Sequence, residues 1–241
     1  MAREQLSAMA GISPHWNEFA TRDELAASLA STVAKALRAA IGRRGEAFLA
    51  VSGGTTPGRF FAALSKEALD WSKVTVTLVD ERFVPESSPR SNAALAKAKL
   101  LQNQASEARF APLFHEAATV EKGADLADAD IRALPWPLDA TILGMGGDGH
   151  TASFFPDADG LDALLDPAST RIVMPVHADS AGEPRLTLTL PALVGAGLVV
   201  VHIEGAEKRS VIEAALAAET GLPIRAVLDR APRAAEIYWA P

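Results

Sequence analysis

Two kinds of apolar pattern alternate along this chain, one typical of strands and one typical of helices. Short apolar runs, typical of buried β-strands, occur at 47–51, 74–79, 140–143, 171–176, 186–190, 198–203 and 236–239. Alanine-rich stretches with helical spacing lie between many of them, at 58–68, 91–101, 119–133 and 206–218. Strands that alternate with helices predict the α/β class, a Rossmann-like and mostly parallel sheet flanked by helices.

Two segments carry more detailed signals. An apolar residue at nearly every fourth position predicts a helix over 21–41, Thr21 and Glu24 form a capping-box pattern at its start, and Gly42 marks its expected end. Residues 185–190 alternate strictly between polar and apolar, which favours a half-exposed or antiparallel strand.

Composition narrows the class of protein. The 241 residues are 49% hydrophobic and contain no repeat and no Pro/Gly/Ser-rich linker, so we expect a single α/β domain over 1–241. The net charge of −7 argues against nucleic-acid or anionic-membrane partners, so any anionic ligand needs a local cationic cluster. The absence of cysteine excludes disulfides, thiol catalysis and thiolate metal sites.

We expect a cytoplasmic location. The first residues lack the apolar core of a signal peptide, and no run approaches the roughly 20 apolar residues that cross a bilayer.

Four polar motifs directly follow strand-like runs. They are 52–57, 80–82, the glycine-rich run 144–150, and 204–208. Ligands of open α/β sheets bind at the carboxyl ends of the strands, so we expect these four motifs to form one site.

The first motif is typical of a phosphate site. Gly53, Gly54, Thr55 and Thr56 precede Pro57 at the expected first position of a helix, which leaves backbone N–H groups free for an anion. The alternative is an ordinary glycine-rich turn with a Ser/Thr helix cap.

Asp80 and Arg82 belong to a charged triplet that also fits a solvated surface. As site residues, Arg82 would meet a substrate anion or developing negative charge, and Asp80 would order the arginine or bind sugar hydroxyls. Asn92 either caps the next helix or contacts the substrate. Lys208 would place a point charge on a phosphate or stay solvated, and Arg185 would bind an anion or act as a salt-bridge or edge-strand residue.

His150 is the candidate base. It ends a run in which Gly146 and Gly149 let the backbone turn tightly and expose N–H groups to a ligand. An imidazole can take a proton from water near neutral pH without a metal, and Asp148 is placed to orient the ring. A purely structural histidine is the alternative.

Other motif chemistries fit poorly. Gly144, Gly146 and Gly149 formally match the dinucleotide fingerprint, but Pro156 follows too soon for the expected helix and no ribose-binding acid is evident. No nucleophile elbow, Walker A lysine or zinc-binding spacing is present, so we expect no metal.

Together, in this order, the motifs 52–57, 80–82, 91–92, 144–156, 185–189 and 205–208 resemble the 6-phosphogluconolactonase family, within the wider group that includes glucosamine-6-phosphate deaminase. The resemblance implies hydrolysis of 6-phospho-D-glucono-1,5-lactone in the oxidative pentose phosphate pathway, with no cofactor. It implies a phosphate site at Gly53, Gly54, Thr55, Thr56, Lys208 and Arg185. We expect His150 to act as base, Asp148 to support it, Arg82 to bind the oxyanion or the phosphate, and Asp80, Asn92 and Gly149 to contact the substrate.

Two rivals remain for this scaffold. A deaminase or sugar-phosphate isomerase usually ends the histidine segment in Asn-Glu-Pro, whereas here Phe154 and Phe155 precede Pro156. A sugar-phosphate sensor normally carries a DNA-binding segment, whereas only about 20 weakly basic residues precede the first predicted helix. The sugar-phosphate lactone is the expected partner, and the protein is expected to be a monomer or a homodimer.

Overall fold

A computed structural model describes residues 13–217 and 221–241. The main sheet has seven parallel strands in the spatial order β1 (His15–Glu18), β10 (Glu236–Ala240), β9 (Leu198–Glu204), β6 (Ala140–Leu143), β2 (Ala47–Val51), β3 (Val74–Leu78) and β5 (Arg109–Phe110). The fully buried strands β2, β3 and β6 lie near its centre. The predicted α/β class with a mostly parallel sheet is confirmed.

A second sheet has three antiparallel strands in the order β4 (Asp80–Arg82), β8 (Arg185–Leu188) and β7 (Val173–Val176). The alternation in 185–190 therefore correctly favoured an antiparallel strand. The half-exposed alternative was wrong, because every residue of β8 is buried between its two neighbours and the core.

Eight α-helices occur in the described residues: α1 (Arg22–Arg44), α2 (Gly58–Leu64), α3 (Asn92–Lys99), α4 (Val120–Arg132), α5 (Leu161–Leu164), α6 (Leu190–Val194), α7 (Ala206–Ala217) and α8 (Pro223–Arg230). The capping box of Thr21 and Glu24 is present at the start of α1. Gly42 does not end this helix, which continues to Arg44. Gly45, with φ +84°, provides the left-handed residue that ends it.

Helix α1 is long and apolar enough that length and composition alone would allow it to cross a membrane. Its apolar face, including Leu25, Leu29, Val33 and Leu37, is instead completely buried in the protein core. The expected end of the last predicted helix at 218, and the leader assessment of residues 1–12, fall outside the described residues.

Buried apolar residues from both sheets belong to one continuous core. Asp139 links two central strands at their amino ends, where its carboxylate accepts hydrogen bonds from Phe48 N and from Arg44. The opposite, carboxyl edge of the main sheet carries the polar motifs. The three-stranded sheet stands beside that edge, since β4 follows β3 after a single residue.

Candidate active site

A cleft of about 320 Å³ opens where the carboxyl ends of β2, β6 and β9 meet the three-stranded sheet. Ten of the twelve predicted site residues line it: Gly53, Gly54, Thr55, Thr56, Asp80, Arg82, Asn92, His150, Arg185 and Lys208. Asp148 and Gly149 do not line it: Asp148 is exposed beside it and Gly149 is buried. The four motifs therefore converge, as parallel strands that share one edge require.

A second cavity of about 310 Å³ lies nearby and has the opposite charge character. Four carboxylates line it, those of Asp157, Asp159, Asp179 and Glu183. An anionic ligand would be repelled there, so the cleft with three cations is the candidate active site.

His150 forms a tightly held pair with Asp148. Its Nδ1 lies 2.6 Å from Oδ1 of Asp148, which also accepts the backbone N–H of His150 at 3.1 Å. Because a carboxylate can only accept, Nδ1 carries the proton of this bond, so that in the neutral imidazole Nε2 carries the free lone pair. Nε2 has no hydrogen-bond partner among the described residues, and the side chain is 31% exposed at the cleft.

The backbone around this pair explains the glycines. A Cβ at Gly146 would lie 2.3 Å from two atoms of the His150 ring, so only glycine lets the ring lie here. Gly149 has φ +79° and packs against Leu222, and its carbonyl accepts from Ile224 N at 3.1 Å. Gly149 thus shapes the loop from behind the cleft.

The phosphate-site motif forms an open loop between β2 and α2. Gly53 approaches the next motif so closely that a Cβ would lie 1.9 Å from Oδ1 of Asn92. The alternative of a Ser/Thr helix cap was wrong, because the cap residue of α2 is Pro57 and no side chain caps it.

Lys208 reaches this loop from the first turn of α7. Its Nζ lies 3.5 Å from Oγ1 of Thr56. Burial lowers the pKa of Lys208, while the carboxylates of Glu204 and Glu207 act in the opposite direction. The solvated alternative for this lysine does not fit its half-buried position.

Two arginines form the opposite wall. Arg82 and Arg185 are direct cross-strand partners on β4 and β8, so two like charges face each other there, which costs stability without an anion between them. Nε of both guanidinium groups is buried without a hydrogen-bond partner. Burial lowers the pKa of Arg185, an effect that Asp80 opposes and Arg82 reinforces.

Arg185, Asp80 and Asn92 differ in position and partners from the alternatives that the sequence left open. Arg185 is 9% exposed on the central strand of its sheet, so the edge-strand alternative was wrong. Asp80 makes no hydrogen bond to Arg82; its Oδ2 accepts from Ser153 Oγ at 2.6 Å. Asn92 donates from Nδ2 to the Asp80 carbonyl, and Ser91, not Asn92, caps α3.

Sequence reasoning missed Glu81. This side chain is completely buried and accepts hydrogen bonds from the backbone N–H groups of Arg82, Asn92 and Ala93 and from the Ser91 hydroxyl. Burial raises its pKa, and those donors act in the opposite direction. The surface-cluster alternative for the triplet was therefore wrong. Glu81 ties β4 to the start of α3, and the only signal in the sequence was its place inside the charged motif 80–82, ten residues before the motif 91–92.

Phe155 separates the base from one arginine. Its ring centroid lies 4.5 Å from that of His150 and 5.4 Å from the guanidinium carbon of Arg185. In the part of the chain that the structure describes, no group of three or more His, Asp or Glu side chains could hold a metal ion.

Comparisons with known proteins identify the family of this chain. The family model described as glucosamine-6-phosphate isomerases/6-phosphogluconolactonase matches residues 20–239. A 6-phosphogluconolactonase of Mesorhizobium japonicum is 62% identical over 241 residues, which cover both chains completely.

Solved structures show the same fold. A crystal structure of a 6-phosphogluconolactonase from Shewanella baltica has a TM-score of 0.92 at 37% identity and covers 95% of this chain and 98% of its own. A monomeric glucosamine-6-phosphate deaminase has a TM-score of 0.72 at 17% identity, with 94% and 97% covered, and so shares the fold. This chain belongs to the family of glucosamine-6-phosphate isomerases and 6-phosphogluconolactonases.

Proposed function

We propose that this protein hydrolyses 6-phospho-D-glucono-1,5-lactone to 6-phospho-D-gluconate, the lactonase step of the oxidative pentose phosphate pathway. The observation that carries the proposal is the His150–Asp148 pair, whose free Nε2 borders a cleft with three cationic side chains. A phosphorylated lactone needs both features, a base for water and positive charge for its anionic groups. The full-length similarity to 6-phosphogluconolactonases supports the same substrate.

His150 acts as a general base in this mechanism. Nε2 takes a proton from water as the water oxygen attacks the lactone carbonyl carbon. The ring C–O bond of the tetrahedral intermediate then breaks, and the imidazolium returns the proton to the departing ring oxygen. Asp148 holds the ring in the required tautomer and stabilises its charged form.

The cationic side chains bind the anionic groups of the substrate. The loop of Gly53, Gly54, Thr55 and Thr56 binds the phosphate with Lys208, and Arg185 adds a charge-assisted contact. Arg82 stabilises either the carbonyl oxyanion or the phosphate. Its unpartnered Nε supports an anion there, whichever one it is.

Phe155 favours lactone hydrolysis over deamination. Deaminases of this group usually carry a carboxylate at this position, whereas here a buried phenyl ring packs on His150. An apolar ring cannot assist amine or ring-opening chemistry by proton transfer. Release of ammonia from glucosamine 6-phosphate would favour the deaminase instead.

The test is the rate of lactone disappearance above spontaneous hydrolysis, with freshly generated lactone. We expect strong acceleration by the wild type and its collapse in a folded His150→Ala variant. His15→Ala is the matched control, because His15 pairs with Glu236 at the far, amino end of β1. No acceleration by the wild type would refute the proposed function, and an active His150→Ala variant would refute the base assignment.

Two further expectations, on cellular location and oligomeric state, accompany this proposal. A cytoplasmic location and a monomeric or homodimeric state both suit an enzyme of a small sugar phosphate. Cell fractionation and light scattering on the purified protein test them.

A further inference from the structure

Two loops at the rim of the cleft hold the two arginines. Arg82 donates from Nη1 to the carbonyl of Arg90, in the loop between β4 and α3. Arg185 donates from Nη2 to the carbonyl of Ala181 at 3.0 Å, in the loop before β8. Neither guanidinium forms an ion pair with any carboxylate in the described residues. The direction of each guanidinium therefore depends on where its rim loop lies.

One ion pair joins these two loops. Nη2 of Arg90 lies 2.9 Å from Oε2 of Glu183, whose side chain is only 15% exposed. The Arg90 side chain is 62% exposed, so it reaches over the rim from the outside. Arg90 thus touches both walls, through its carbonyl to Arg82 and through its side chain to Glu183.

The second loop is fixed at its other end as well. Asp157 accepts hydrogen bonds from the backbone N–H and the hydroxyl of Ser180, and these bonds lower the pKa of Asp157. Ser180 itself lines the cleft. With Asp157 at one end and Arg90 at the other, the segment that carries Ala181 has little freedom to move.

We propose that Arg90 and Glu183 form a latch that positions Arg82 and Arg185 for the anionic substrate. The inference rests on the proposed function and deepens it. Neither latch residue lines the cleft, so both are positioning residues and act through the carbonyls of the rim loops. Opening the latch should weaken binding of the substrate's anionic groups and leave the base in place, because the His150–Asp148 pair lies on a different loop.

Glu183 offers a test whose sign separates two explanations. Its carboxylate pairs with Arg90 and acts to raise the pKa of Arg185. If only net charge mattered, Glu183→Ala would make the cleft more positive and strengthen anion binding. The latch predicts the opposite, since without Glu183 the rim loops lose the side-chain contact between them and keep only the backbone bond from Phe83 N to the Pro184 carbonyl.

The experiment measures kcat and KM for 6-phosphogluconolactone, and the Kd of 6-phosphogluconate by calorimetry. We expect Glu183→Ala and Arg90→Ala each to raise KM and Kd about three- to ten-fold, the effect of one partly exposed ion pair, and kcat to fall only if Arg82 binds the oxyanion. The double variant should be no worse than the weaker-binding single variant, and Arg90→Lys should largely restore binding. Thermal unfolding shows that each variant is folded.

Glu86→Ala is the matched control. Glu86 lies in the same loop as Arg90 and forms an exposed ion pair with Lys97, at 2.6 Å, without lining the cleft. Its KM should equal that of the wild type.

The outcomes separate the inference from the proposed function. An active wild type whose Glu183→Ala variant keeps or lowers KM overturns the latch alone, as do additive effects of the two single variants. A wild type that binds 6-phosphogluconate without hydrolysing the lactone overturns the function, and the Kd series then decides the latch. A wild type that does neither overturns both.

Discussion

Replacing Gly146 by alanine should disable the His150–Asp148 pair while the fold survives. The new Cβ would lie 2.3 Å from Cε1 and Nδ1 of His150 and 2.6 Å from Oδ1 of Asp148. Gly146 is not among the glycines with positive φ, so alanine fits its backbone without strain. The clash therefore falls on the catalytic side chains.

The size of the effect follows from these distances. The ring must retreat from 2.3 Å to ordinary contact at 3.4 Å or more, a shift of about 1.1 Å. Phe155 packs on the ring with its centroid at 4.5 Å, so the ring cannot shift without also losing this contact or the Asp148 bond. A misplacement of about 1 Å can cost roughly 10²-fold in rate, or about 2.7 kcal/mol in the barrier.

The assay is lactone hydrolysis with freshly generated substrate, beside thermal unfolding of the same preparation. We expect kcat to fall about 10²-fold and KM to change much less, because the phosphate loop is untouched. Gly147→Ala is the control in the same loop, since its Cβ would meet only the flexible end of Glu207, at 3.3 Å. Wild-type kcat in folded Gly146→Ala would refute the geometry assigned to His150.

Three further predictions concern charged groups. Arg82→Ala should lower kcat about 10²-fold if Arg82 binds the oxyanion, whereas a rise in KM alone would assign it to the phosphate; steady-state kinetics decides. Burial lowers the pKa of Lys208, so its ammonium group loses its proton at a lower pH than that of an ordinary lysine. The Kd of 6-phosphogluconate should therefore begin to rise at a lower alkaline pH than an ordinary lysine would cause. Lys208→Arg should move that rise to higher pH, which calorimetry at a series of pH values can measure. Asp139→Ala should lower the free energy of unfolding by about 2 kcal/mol, because it leaves the buried Phe48 N without a partner, while Arg44 keeps its bonds to the carbonyls of Pro135, Trp136 and Pro137. Denaturant titration measures this loss, and kinetic assays should show an unchanged kcat in the folded protein.

Local patterns predicted the elements that are long and regular. Each strand run in 47–51, 74–79, 140–143 and 198–203 matches an observed strand of the main sheet, because a strand buried on both faces reads as a continuous apolar run. The strands β1 and β5, with four and two residues, are too short for any periodicity to show. No prediction covered helix α8, which begins at Pro223.

The sequence by itself determined the α/β class and most of the residues that line the cleft. It could do so because glycine-rich and charged motifs after buried strands must gather at one edge of a parallel sheet. These inferences depend only on local order along the chain. The expectation of a lactonase type of histidine segment, through Phe155, came instead from the resemblance to a known family.

Only the tertiary structure decided which groups touch. It made Arg82 and Arg185 direct partners although they are 103 positions apart in the sequence. It also buried Glu81 under the start of α3 and joined Arg90 to Glu183 across the rim. Such contacts arise from the packing of distant segments and from antiparallel register, neither of which leaves a periodic trace in the sequence. The physical reason is that the spacing of residues along the chain determines which way their side chains point within one helix or strand. The distances between side chains of different helices and strands are determined by the core that these elements share.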